Sequence, residues 1–248
     1  MSGSSDDFRT FGRAYHERFR ENPFTRVFGQ RGPLLRFIAR YVPGGRLLDI
    51  GCGQGAWLSQ AVRRFRVSGC DTSEYALEGA RRNVPAAERL AAVDANRPLP
   101  FESGSFDAVT ALDVVEHLHA PETLIAEAWR LLRPGGVFAL TTPNPRCRSA
   151  TSWKPQDWHG ARDVTHINMK PADAWVAMIE AQGFKTLDVR FDGLWDVPYS
   201  SAGKRWRLAK LFEHAAVQLP SILAYNAGIR IPEPLGENAV VLAVKPSA

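Results

Sequence analysis

Leu47-Leu48-Asp49-Ile50-Gly51-Cys52-Gly53-Gln54-Gly55 is an apolar run that closes on an acid and then on three alternating glycines. Ala56 to Phe65 continues it with helix-like spacing. The pattern predicts a strand, a tight turn and the start of a helix. Glycine suits the turn because it enters left-handed backbone conformations that a Cβ resists, and because it lets a ligand approach the chain within contact distance. Such a turn is a form that binds a nucleoside. Taken alone, Gly51, Gly53 and Ala56 also satisfy the alanine-ended dinucleotide fingerprint, so the stretch leaves two kinds of cofactor open.

Two acids lie downstream at strand ends. Asp71 stands 20 residues after Gly51 and closes the strand-like run Arg66 to Cys70, with Thr72 beside it. A carboxylate there can accept hydrogen bonds from both hydroxyls of a ribose, and paired charge-assisted bonds are among the strong ones. The competing explanation is that Asp71 caps the helix expected from Ser73 to Asn83. Asp94 follows a second short apolar run, Leu90 to Val93, and reads either as a ligand contact or as a solvated turn acid.

Four landmarks in order, LLDIGCGQG at 47–55, VSGCD at 67–71, FDAVTALDVVEHL at 106–118 and LLRPGGVFALTTPNP at 131–145, span about 100 residues. In that order the chain resembles class I S-adenosylmethionine-dependent methyltransferases. It is most similar to the small-molecule, type 11-like branch that includes the ubiquinone-type O-methyltransferases. The resemblance implies S-adenosyl-L-methionine as cofactor and S-adenosyl-L-homocysteine as product. It implies that Asp49, Gly51, Cys52, Gly53, Gly55, Asp71, Thr72, Asp94, Ala95, Leu112, Asp113 and His117 line the cofactor. Within it Asp94 would meet the adenine amino group, and Leu112-Asp113 would pass the methionine part. Asp49 favours this reading over nicotinamide, because nicotinamide-binding strands usually stay apolar before the glycine turn. Arg133-Pro134-Gly135-Gly136 is a scaffold turn.

At 248 residues and 45% hydrophobic, the chain has room for one sizeable core, read here as one domain with additions. The expected parts are a helical lid over 1–42, a cofactor-binding core over 43–145 and a substrate loop over 146–170. A C-terminal half over 171–248 follows, with a helical cap at about 202–229. No run of 18 apolar residues occurs and the N-terminus is polar and acidic, so neither a membrane span nor a signal peptide is expected and the location read is cytoplasmic. Three cysteines without CxxC spacing argue against a disulfide framework and a zinc site, and no metal is expected. The charge of +5 rests on 25 arginines and 6 lysines without a long basic run or a recognition motif, so nucleic acid is not expected as a partner. Monomer and homodimer both stay open.

Alternating strands and helices mark an α/β, Rossmann-like, doubly wound and mostly parallel seven-stranded sheet. Strands are expected near 46–50, 66–70, 89–93, 106–112, 137–142, 184–191 and 239–245. Helices are expected near 33–41, 56–65, 73–83, 121–132 and 171–182, with a further helical insertion before the last strand. Trp129 and Trp175 read as core.

Pro143 to Lys170 is 28 residues with few aliphatics but with Trp153, Trp158, His159, Arg162, Asp163 and His166. Long loops in compact domains tend to be functional, so this one reads as a lid or substrate wall at the carboxyl end of the sheet. Trp153, Trp158, His159, His166, Trp195 and Tyr199 are the expected acceptor contacts. His166 is the first candidate for a base, with Asp163 as its orienting partner, against a purely structural hydrogen bond that shuts the loop; His159 and His117 follow. In the family an N-terminal tyrosine often closes on the methionine end, which makes Tyr15 a candidate, the alternative being a core aromatic. Arg26 or Arg36 could pair with the cofactor carboxylate.

The implied reaction is methyl transfer to oxygen or nitrogen of a small molecule, read as natural-product tailoring. RNA or protein methylation and nicotinamide-dependent oxidoreduction are the rivals. The motif after the fourth strand, Leu112-Asp113-Val114-Val115, lacks the Asn-Pro-Pro-aromatic type of tetrad found in amino-group DNA methyltransferases.

Overall fold

The computed structural model describes residues 33–151, 158–193 and 219–247. Seven strands form one sheet in the order β3-β2-β1-β4-β5-β7-β6. They are β1 Gly45–Ile50, β2 Phe65–Asp71, β3 Arg89–Ala92, β4 Phe106–Leu112, β5 Leu132–Pro143, β6 Lys185–Phe191 and β7 Asn238–Val244. Pairs from β3 through β5 are parallel, and β7 runs antiparallel to both β5 and β6. The helices are α1 Leu34–Ala39, α2 Leu58–Ala61, α3 Glu74–Asn83, α4 Pro121–Leu131, α5 His159–Arg162, α6 Ala172–Ala181 and α7 Leu219–Asn226.

The central strands are apolar almost throughout because helices cover both faces of the sheet. On one face, Leu124, Ile125, Ala128 and Leu131 of α4 and Trp175 and Ile179 of α6 pack on Ile50, Val109, Phe138 and Leu140. On the other, Phe37 of α1, Leu58 of α2, Leu77 of α3 and Tyr225 of α7 pack on Leu47, Val67, Ala108 and Val240. Trp175 is fully buried, whereas Trp129 is partly buried, edge-on to Phe184 and beneath the Lys245 ammonium.

Helix starts follow the expected chemistry. Ser73 caps α3 by accepting from Ala76 N–H, and Pro121 opens α4, where its missing N–H has no helical partner to lose. Glu127 on α4 accepts from Leu99 N–H, and the Arg130 hydrogen-bonded to it donates to the Leu99 and Phe101 carbonyls. This clamp fastens the connection between β3 and β4 to α4.

Two expectations are corrected. The helix expected over 56–65 shrinks to α2, because Phe65 begins β2 and buries its ring, while i→i−3 bonds from Arg63 and Arg64 tighten the exit. Strand β5 begins at Leu132 rather than near 137. The register jumps from Phe106↔Leu132 to Ala108↔Val137, so Arg133 to Gly136 form a bulge with Gly135 at φ +79°. The first part of the loop after β5 is tied to the entry of β7. Asn144 donates to the Glu233 and Gly236 carbonyls, its N–H bonds the Glu237 carbonyl, and the Ser149 hydroxyl bonds the Glu237 carboxylate, fastening 144–149 to the entry of β7.

The helical insertion before the last strand is represented by α7. Residues 1–32, with Tyr15 and Arg26, lie outside the described residues, as do Trp153, Trp195, Tyr199 and most of the expected cap over 202–229. Among the described residues no helix is long and apolar enough to cross a membrane.

Deleting the buried ring of α6 in Trp175→Ala is expected to cost about 3–5 kcal/mol of folding stability. Val164→Ala, at a position 90% exposed, should stay within about 0.5 kcal/mol. Denaturant titration of the two variants beside the parent chain checks the contrast.

Candidate active site

Strands β1 and β4 are neighbours at the point where strand order reverses, the place where open α/β sheets bind ligands beyond their carboxyl ends. The glycine turn leaves β1 there. Gly51, Gly53 and Gly55 have φ of +73°, +52° and +80°, which explains the alternation of glycine in the sequence. The N–H groups of Gly51 and Cys52 both donate to the Cys70 carbonyl at the end of β2, at 2.8 and 2.9 Å. Asp71, one residue on, takes Gly53 N–H on Oδ2 at 2.8 Å and Ser73 N–H on Oδ1 at 2.9 Å. One carboxylate therefore joins the glycine turn to the start of α3. Each of its oxygens keeps a second lone-pair direction, so helix capping and a ribose contact are compatible at this residue.

The other expected cofactor residues divide into support and lining. Asp49 is buried below the turn, its Oδ1 accepting from the Thr110 hydroxyl at 2.7 Å, and Trp57 Nε1 donates to that same hydroxyl. Cys52 is buried against Gly69, and burial pushes its thiol well above the ordinary range. Thr72 is half-buried between Asp71 and the cap of α3. Asp94 is half-buried, with Oδ1 accepting from the N–H and the side-chain amide of Asn96, next to buried Ala95. Leu112 is buried at the end of β4. Asp113 follows it at φ +58°, the only non-glycine described residue with positive φ, held by Thr141 through Oδ1 and through its own N–H. Strain of this kind costs about 1–3 kcal/mol and persists where surrounding bonds over-determine it, commonly at ligand sites.

Beyond Asp113, the short turn Val115–His117 meets the loop after α5. Ile167 and Asn168 N–H both donate to the Glu116 carbonyl, and the Asn168 amide donates to the Leu118 carbonyl. These bonds bring His166 against His117, with ring centroids 4.7 Å apart. His117 Nδ1 lies 2.9 Å from the Thr165 hydroxyl and 3.2 Å from its carbonyl, and His166 Nδ1 lies 2.8 Å from the Gly160 carbonyl. Asp163 Oδ1 takes the N–H and hydroxyl of Thr165, while its Oδ2 is 3.9 Å from His166 Nε2. Asp163 thus orders the loop but does not hydrogen-bond the imidazole directly.

Burial and the neighbouring His166 lower His117 to about 4. Burial raises the Glu116 carboxyl well above its usual value, and the charge of Asp113 adds to this. At Asp163 burial raises the pKa, but the Thr165 hydroxyl and N–H outweigh it and the net shift is downward.

Two of the expected contacts also have partners within the protein. Trp158 is buried with its ring against Gly160, where an added Cβ would sit 2.3 Å from it, so it packs the loop from beneath. Arg36 donates to the Asn226 carbonyl, which ties α1 to α7. The backbone of His159 opens α5, and its side chain lies outside the described residues. Glu116 had no assigned role from sequence, although an acid between apolar Val115 and a histidine was the available signal.

A model of the methyltransferase domain family matches residues 17–189, more than half of the chain. The chain belongs to the methyltransferase domain family. It is 34% identical over 124 residues to the ubiquinone biosynthesis O-methyltransferase of Chromobacterium violaceum, covering 46% of this chain and 52% of that protein. The Dechloromonas aromatica protein of the same name is 36% identical over 114 residues, covering 43% and 47%. The alignments span about half the length of these relatives. Among solved structures, an Archaeoglobus fulgidus SAM-dependent methyltransferase superposes with TM-score 0.60 at 18% identity, covering 94% of this chain and 98% of that one. The geranyl diphosphate C-methyltransferase of Streptomyces coelicolor A3(2), in complex with Mg2+, geranyl diphosphate and S-adenosyl-L-homocysteine, gives TM-score 0.57 at 18% identity, covering 86% and 76%.

S-adenosylmethionine is the cofactor of this family, and the residues present fit it. Asp71 and Asp94 offer acceptors at strand ends, Leu112 and Ala95 offer apolar surface, and the Cβ position of Gly53 faces open space. The glycines separate fold from ligand. A Cβ on Gly51 would sit 2.4 Å from Val114 Cγ2, so Gly51→Ala should destabilise folding by more than the about 1–2 kcal/mol of left-handed strain alone. Gly53→Ala meets no protein atom within 4 Å; it should carry only that strain, yet weaken S-adenosylhomocysteine at least tenfold in calorimetry.

Proposed function

We propose that the protein transfers a methyl group from S-adenosylmethionine to an oxygen or nitrogen of a small molecule, in natural-product biosynthesis. The observation that carries the reading is the meeting of His117 and His166, with Glu116 and Asp163, next to Asp113 at the carboxyl end of β4. A nucleoside site and a cluster of imidazoles with carboxylates are thereby adjacent. The O-methyltransferase relatives and a structural neighbour bound to a small isoprenoid diphosphate support a small acceptor.

When bound, S-adenosylmethionine supplies an electrophilic methyl on a sulfonium sulfur: the acceptor lone pair forms the new bond to carbon, and the electron pair of the broken carbon–sulfur bond stays on sulfur. Alignment is the first contribution of the chain. Holding the reacting atoms at near-attack distance can supply about 7–11 kcal/mol. The turn at Gly51–Gly55, Asp71 and the strained Asp113 fix one partner, and the loop from Trp158 to Asn168 forms a wall for the other. The second contribution is made at the acceptor atom, where the cluster around His166 contacts the group whose proton is lost. Positioned groups of this kind add roughly 100- to 10,000-fold.

His166→Ala should keep S-adenosylhomocysteine affinity and lower turnover at least tenfold, measured by transfer of labelled methyl to a panel of phenols, hydroxylated polyketides and amines. Unchanged turnover would remove His166 from the reaction, and absence of transfer to every acceptor would count against a small-molecule substrate.

A further inference from the structure

Glu116 is fully buried, and neither carboxylate oxygen has a hydrogen-bond partner. The Thr142 hydroxyl stands beside it, outside hydrogen-bond geometry and equally unpartnered. A buried acid left in this state carries an unfavourable desolvation cost that a further ligand would offset. One ligand atom from each of Glu116, His117 and His166 lies within 4.8 Å of the others. His117 and His166 each place Nδ1 against a backbone carbonyl, of Thr165 and Gly160 respectively. That second contact fixes ring orientation and directs Nε2 away from the backbone, the arrangement by which metal-ligating histidines are held.

We infer that Glu116, His117 and His166 form a binding site for a divalent transition cation of the zinc or cobalt class. The inference rests on the proposed methyl-transfer reading only for its consequence, not for the site. Two imidazoles and one carboxylate suit zinc or cobalt better than magnesium, which prefers an all-oxygen shell. The cysteine pattern argues against a zinc site and no metal is expected from it; a centre built from imidazole and carboxylate departs from that expectation without using a thiolate. Ligand bonds of about 2.0–2.2 Å require the three donors to draw together by roughly 1 Å, a side-chain adjustment on a loop already docked by Glu116 itself. Three protein ligands leave a coordination position for the acceptor oxygen. The cation would then act as its Lewis acid, and the cluster around His166 would meet the acceptor group through the ion, with the hydroxyl proton released to solvent.

The test is titration of the chelator-treated full chain with Zn2+ by calorimetry and with Co2+ by visible absorption, with S-adenosylhomocysteine affinity measured on the same samples. One equivalent should bind, with cobalt d–d bands reporting a low-coordinate N/O site. Glu116→Gln and His166→Ala should each weaken binding at least tenfold while S-adenosylhomocysteine affinity stays within twofold. No saturable binding of either ion to a parent chain that binds S-adenosylhomocysteine would overturn the inference, as would affinity unchanged in both variants. The parent titration decides by itself if a variant fails to fold. Failure of the methyl-transfer reading is seen separately, as loss of S-adenosylhomocysteine binding or of labelled-methyl transfer.

Discussion

The end of β2 holds the glycine turn in shape, and every other feature of the site is referred to that turn. The Cys70 carbonyl gathers two N–H groups and the Asp71 carboxylate gathers two more, one from the turn and one from the start of α3. Three positive φ angles within five residues have no low-energy alternative for side-chain-bearing residues, so the acceptors and the glycines depend on each other. Remove the acceptors and the turn has unsatisfied donors; add a Cβ at Gly51 and it collides with Val114. Asp49, Thr110 and Trp57 brace the same turn from below, which places an acid inside an otherwise apolar strand.

This dependence explains why the fold was readable from sequence. Buried parallel strands are apolar runs bounded by glycine or acid, and β1, β2 and β4 begin and end within a residue of expectation for that reason, while the edge strand β3 is marked by the acid that follows it. Where local pattern and tertiary packing disagree, packing prevails. Phe65 has helical spacing to Ala61 but serves the core as the first residue of β2. Arg133 to Gly136 reads as a turn, yet Leu132 before it already pairs with Phe106. The polar stretch after β5 reads as loose because its partners, Glu233, Gly236 and Glu237, come from a distant part of the chain.

The candidate site was legible in part for the same reason. The glycines, Asp71 and Asp94 sit at fixed offsets from strand ends, so spacing alone locates them. The pairing of His117 with His166 depends on the Glu116 carbonyl taking two N–H groups from a loop far along the chain, a contact that no local spacing announces. Glu116 itself is hidden by its own tripeptide: followed by histidine and leucine it passes for scaffold, and only its burial without a partner distinguishes it. Trp158 is an aromatic in a polar loop whose ring packs on Gly160, a contact within the loop that composition does not announce.

The central claim is that the bend after β1, with the acids that follow β2 and β3, is shaped for an adenosyl sulfonium donor and not for a dinucleotide. Isothermal titration of the 248-residue chain with S-adenosylmethionine and, separately, with NAD addresses it most directly. The account predicts saturable one-to-one binding of S-adenosylmethionine and no heat from NAD. A folded sample that shows no affinity for S-adenosylmethionine at millimolar concentration, or that prefers NAD, would contradict it.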